Sequence, residues 1–161
     1  MEKVKAFCKR KNIEISVKRY LIDALGAMAQ GLFASLLIGT IISTLGTQLN
    51  IPILVTVGTY AKAAVGPAMA IAIGYALQAA PLVLFSLAAV GAAANELGGA
   101  GGPLAVLVVA IFAAEFGKAV SKETKIDIIV TPFVTIFVGV ALSIWWAQPS
   151  CSRFSWESLY L

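Results

Sequence analysis

Eight strongly polar side chains stand within or beside long apolar runs: Asp23, Gln30, Lys62, Gln78, Asn95, Glu96, Glu115 and Lys118. A charge at the centre of a membrane helix costs about 2.5–3.5 kcal/mol on insertion scales, so an ionisable group at that depth marks a functional position by default. Asn95-Glu96 is the sharpest pair. An amide and a carboxylate side by side can donate and accept hydrogen bonds, the chemistry that holds sugar hydroxyls. Four glycines follow at once, Gly98, Gly99, Gly101 and Gly102, and glycine lets a backbone approach a ligand. The same stretch also reads as an ordinary outer loop between two full spans, with Glu96 in water. Glu115 and Lys118 have i, i+3 spacing and can pair on one helix face. They read either as a helix-end ion pair or as a carboxylate facing a substrate path. Gln78, just before Ala79-Ala80-Pro81, can cap a turn or line a cavity. The substrate-binding candidates are thus Asn95, Glu96, Glu115 and Gln78.

Other chemistries are excluded. The chain has no histidine, which removes imidazole metal sites, histidine proton relays and Ser-His triads. Ser121-Lys122 falls in a solvated loop without an oxyanion feature, and no phosphate-binding glycine loop is present. The two cysteines, Cys8 and Cys151, lie in opposite tails and form no metal or redox motif. We expect no enzyme activity, no cofactor and no metal. The net charge of +4 gathers in one tail, so it does not indicate nucleic-acid binding.

The elements that must position these residues are membrane helices. The chain is 60% hydrophobic and 12% charged, against about 25% charged for a soluble domain. Uncharged runs extend over Ala24–Ala61, Ala63–Asn95, Leu97–Ala114 and Ile128–Ser152. They lack the alternation of a membrane β-barrel. The fold class is an all-α polytopic membrane protein with about five transmembrane segments, including a short Gly/Pro-broken pair. Three regions follow: a basic N-terminal tail 1–19, a helical membrane domain 20–147 and a C-terminal tail 148–161 of different composition. The basic tail places the N-terminus in the cytoplasm.

The first span runs from about Tyr20 to Gly46. Ala27, Gly31, Ser35, Gly39 and Ser43 recur every four residues along it, a stripe that lets another helix approach closely. Ile51–Leu77 is long for one span. Lys62 and Pro67 break it into an interfacial or broken portion near Ile51–Tyr60 and a membrane helix to Leu77. Gly66, Ala70 and Gly74 form a second small-residue stripe that can face the first. Gly31, Ser35, Gly39, Gly66 and Gly74 are the helix-packing candidates. Lys62 either snorkels to the outer interface or pairs with an internal carboxylate. Next come the runs Pro81–Ala94 and Pro103–Ala114, each opened by proline. The first, 14 residues, covers only about 21 Å, short of the about 30 Å of a hydrocarbon core. The pair is a re-entrant hairpin or two short spans, its break at Asn95–Gly102. Lys118, Lys122 and Lys125 place the next loop in the cytoplasm. Ile128–Ala147 crosses last, with Trp145 and Trp146 as an aromatic belt.

Three segments carry a resemblance: VKRYLIDALGAMAQGLFASLLIGTI (Val17–Ile41), PLVLFSLAAVGAAANELGG (Pro81–Gly99) and VSKETKIDIIVTPFVTIFVGV (Val120–Val140). They resemble the integral-membrane enzyme IIC family of the phosphotransferase system, in its perfringolysin-regulator type. The resemblance covers roughly Lys11–Trp146. It implies a multi-pass protein of the bacterial cytoplasmic membrane, a sugar permease acting as a homo-oligomer, with soluble phosphotransferase components as partners. Family members look about twice as long, so the chain resembles an N-terminal half, and 148–161 departs from the family pattern. The expected function is a sugar-permease-like subunit or half-transporter. The rival expectations are a membrane-embedded regulator without transport and a truncated fragment.

Overall fold

The computed structural model describes residues 18–121 and 127–147, and every regular element among them is helical. The basic segment 1–17, Lys122 and Lys125, both cysteines and the tail 148–161 lie outside the described residues. The chain opens with one continuous helical run. Two wide π-helical stretches, Lys18–Asp23 and Phe33–Leu37, precede α1 (Ala24–Leu32) and α2 (Ile38–Gln48). Then follow α3 (Pro52–Ala63), α4 (Val65–Ala76), α5 (Pro81–Leu97), a short 3-10 turn (Gly99–Gly101), α6 (Gly102–Val120) and α7 (Asp127–Ala147). Three of these runs are long and apolar enough to cross a membrane: Tyr20–Gln48, Gly102–Val120 and Ile128–Trp145. The pair α3–α4, bent by 48°, makes a fourth, and α5 is a shorter apolar helix.

Proline and left-handed residues set the boundaries. Pro52 and Pro81 each stand at the start of a helix, and Pro103 is the second residue of α6; there the missing N–H costs nothing. Pro67 stands in the first turn of α4, and its ring cannot accept Ala63 as the helical residue four places back. The bend falls there, at Ala64 (φ −81°, ψ 6°). Asn50 and Gln78 adopt positive φ, 53° and 55°. Each completes a Schellman turn. Ile51 N–H donates to Gly46 O at 2.9 Å, and Ala79 N–H donates to Gly74 O at 2.9 Å.

The core gathers between α4, α5 and α6. Met69, Ile73 and Leu77 recur every four residues along α4 and its C-cap, with Ala70 beside Met69; Val83, Leu87, Val90 and Ala94 recur at spacings of three and four along α5. This is the one-face periodicity of a packed helix. Val106, Val109, Ala110, Ala113 and Ala114 complete the core from α6. Glycines fix how closely the helices cross. A Cβ on Gly31 would lie 2.7 Å from Ala68 O, so the first helix seats on α4 there. Gly39 abuts Gly58, Ala61 and Lys62 of α3, and Ser35 is buried, its hydroxyl donating to Gly31 O at 2.7 Å. The second stripe turns elsewhere. Gly66 meets Gly91 and Asn95, and Gly74 meets Leu84 and Leu87, so this face of α4 serves α5 and not the first span.

One turn tests the backbone alone. Gly99 has φ +52°, and a Cβ there would touch nothing within 4 Å. Gly99→Ala is therefore expected to lower stability by about 1 kcal/mol through the left-handed penalty alone. A melting curve in detergent checks it; an unchanged midpoint would contradict the assigned turn.

Candidate functional site

The four substrate-binding candidates fall at two opposite ends of one helical hairpin. α5 and α6 pack side by side around the Gly98–Gly101 turn. α5 has 17 residues and is about 25 Å long. Gln78 precedes its start, and Glu115 lies near the end of α6, both at the open base. Asn95 and Glu96 lie at the closed tip.

At the tip, the break is shorter than the composition suggests. Asn95 and Glu96 belong to the last turn of α5, which continues to Leu97. The physical reason is local. Ala92-Ala93-Ala94-Asn95-Glu96-Leu97 contains no glycine or proline, and alanine, leucine and glutamate favour helix. A charge ends an apolar run without ending a helix. The unwound part is confined to Gly98–Gly101. Asn95 is half-buried and wedged between two helix starts. A Cβ on Gly66 would lie 2.7 Å from Asn95 Cβ, and one on Gly102 would lie 2.8 Å from Asn95 Oδ1. Glu96, its neighbour, is exposed. The tip thus presents an anchored amide and a free-standing carboxylate where α4, α5 and α6 meet.

At the base, Lys118 is buried, 4% exposed. Its Nζ lies 2.7 Å from Glu115 Oε1 and donates to Leu77 O at 3.2 Å. The i, i+3 pair is therefore formed. It lies inside the protein and reaches across to the end of α4. The contact with Glu115 is an ion pair by distance. Neither carboxylate oxygen makes an aligned hydrogen bond among the described residues. Ser121, expected in a solvated loop, is also buried, because α6 continues through Val120 and seats its last turn against the bundle. Gln78 caps α4 through its backbone, its side chain being exposed.

One buried polar stripe lies outside the sequence candidates. Thr131, Thr135 and Ser143 of α7 are buried at spacings of four and eight, with Gly139 between them. Thr135 donates to Thr131 O at 2.8 Å, and Ser143 donates to Gly139 O at 2.8 Å. Gly117 of α6 abuts Thr135, and Gly139 abuts Val90. The spacing of four was the available signal. Among the described residues, no cluster of three acidic or cysteine ligands could hold a metal.

Several apolar helices, one of them short and two forming a bent pair, and polar side chains gathered at the helix ends define a multi-pass membrane protein of the transporter kind. The family model "Phosphotransferase system, EIIC" matches residues 22–155. The chain belongs to that family, whose members are the membrane transport components of a sugar phosphotransferase system. A search of curated proteins and a search of solved structures returned no match.

Proposed function

We propose that this chain is the permease-type subunit through which a small polar substrate, a carbohydrate, enters the cell, and that the tip of the α5–α6 hairpin binds it. The supporting observation is the placement of Asn95 and Glu96. They are adjacent, they lie at the meeting of three helix ends, and a glycine turn leaves backbone open beside them. Asn95 is held by Gly66 and Gly102 and orients the substrate. Glu96 accepts hydrogen bonds from its hydroxyls. Gln78 and Glu115 form a second polar station at the other end of the path. The N-terminus is cytoplasmic and the protein works as a homo-oligomer. Soluble phosphotransferase components carry out the phosphorylation.

The test is a thermal-shift and binding series with a panel of sugars on protein in detergent. Glu96→Gln is expected to weaken the binding sugar by roughly ten- to a hundredfold, the value of about 1.5–3 kcal/mol for a hydrogen bond to a charged group. Because Glu96 is exposed, the melting point without sugar should not move. A sugar that binds wild type and Glu96→Gln equally well would refute the assignment.

A further inference from the structure

The first helical run, which ends in α2, is longer than the membrane requires. Tyr20–Gln48 contains 29 residues, about 43 Å of helix, against about 30 Å of hydrocarbon. The packing shows where the excess lies. α1 packs on α4, whereas α2 packs on α3, and neither α2 nor α3 packs a face against α5, α6 or α7. Gly31 is level with Ala68 and Met69, and Gly66 is level with Gly91 and Asn95. Lys62 stands one turn beyond Gly66. α7 runs parallel to α5. From the crossing of Gly139 with Val90, equal travel along the two helices reaches Trp145 and Glu96. Lys62, Glu96 and Trp145 therefore share one level, where a lysine, a carboxylate and an exposed tryptophan belong at a membrane–water interface. The arm from Ile38 to Ala61 lies on the far side of that level.

The arm has two unlike faces. At about 100° per residue, the face of α2 turned to α3 carries Gly39, Ser43 and Gly46. To one side stand Thr40, Thr44 and Thr47, and to the other Ile38, Ile41 and Leu45, all exposed. On α3 the inner face carries Gly58, with Thr56 and Thr59 to one side and Ile53, Val57 and Tyr60 to the other, again exposed. In an antiparallel pair these sides coincide. Both threonine rows fall on one surface of the hairpin, and both aliphatic rows fall on the opposite surface. The threonine hydroxyls donate to their own helix, for example Thr44 to Thr40 O at 2.8 Å and Thr59 to Val55 O at 2.9 Å. Their lone pairs remain able to accept from water. The arm carries no charge before Lys62 at its base.

We propose that α2–α3 is an interfacial arm that lies along the bilayer surface. Its aliphatic face rests on the acyl chains and its threonine face meets water. The 48° bend at Ala64 is the joint that connects the arm to α4. The partner is the lipid interface, and apolar burial holds the arm there without a need for anionic lipid.

Site-directed spin labelling tests this on the full chain in phosphatidylethanolamine–phosphatidylglycerol vesicles, with Cys8 and Cys151 first changed to serine. Labels go at Thr44 and Thr59, at Leu45 and Val57, and at Phe85 of α5 as the reference. The expected result is a several-fold higher ratio of oxygen to nickel-chelate collisions at Leu45 and Val57 than at Thr44 and Thr59. The ratio at Leu45 and Val57 should still be lower than at Phe85. If all four arm sites match Phe85, the arm crosses the membrane and the proposal fails. If Leu45 and Val57 are shielded from both reagents, another protein surface covers the arm, and the proposal fails in favour of a protein contact.

Discussion

Lys118→Met is expected to destabilise the protein by about 3–5 kcal/mol, the cost of removing one partner from a buried ion pair. Lys118 links two elements of the core. It meets Glu115 at 2.7 Å and donates to Leu77 O at 3.2 Å. The Leu77 carbonyl is one of the carbonyls that the end of a helix leaves without an internal donor. The Schellman turn at Gln78 satisfies Gly74 O and Tyr75 O, and Lys118 donates to Leu77 O just beyond them. The ammonium therefore ties the base of α6 to the end of α4, across 41 residues of sequence. Without it, Glu115 keeps a carboxylate whose oxygens are buried and have no aligned hydrogen bond. The double variant Lys118→Met/Glu115→Leu removes both charges and is expected to recover most of the loss, since a buried pair replaced by apolar side chains is often close to neutral. A double-mutant cycle on melting in detergent measures the coupling. If Lys118→Met alone melts with wild type, the lysine holds nothing.

That interaction shows what spacing can and cannot convey. The i, i+3 pairing of Glu115 with Lys118 is a property of one helix and was legible from sequence. The third partner, Leu77 O, was not, because a backbone carbonyl leaves no mark in sequence and the contact depends on how α6 lies against α4. The same division holds elsewhere. The helical membrane class followed from the long uncharged runs, and the break after Lys62 followed from Pro67. The end of α5 lies a turn beyond the apolar run Pro81–Ala94, because the chain stays helical through Asn95, Glu96 and Leu97. The small-residue stripe on α4 was visible, but its neighbour was not. Gly66, Ala70 and Gly74 announce a close approach without saying which helix makes it. The site candidates divided between two ends for the same reason: sequence separation along a hairpin does not report which residues its turn brings together.

The largest packing effect is expected at the crossing of α4 and α5. Gly66 and Gly91 face each other reciprocally. A Cβ on Gly66 would run into Gly91 O, and a Cβ on Gly91 would run into Gly66 O. Both obstacles are backbone, so no rotamer change relieves them. Separating the helices would also open the core around Met69, Ala70 and Val90, which are fully buried. Overpacking a fitted core costs about 1–3 kcal/mol and occasionally more; a contact between two backbones belongs at the upper end. Gly66→Val is expected to leave little folded protein after mild heating in detergent, and Gly91→Val the same. Gly26 is the control, since a Cβ there meets nothing within 4 Å. Gly26→Ala should raise stability by roughly 0.8–1 kcal/mol, the helix preference of alanine over glycine. The crossing also touches function. Gly66 seats Asn95, so even the smaller change Gly66→Ala should weaken sugar binding as well as stability, whereas Glu96→Gln should weaken binding alone. Fluorescence-detected size exclusion after a temperature step separates these effects. Full tolerance of valine at both glycines would mean that α4 and α5 do not meet at this register, and the placement of Asn95 would fall with it.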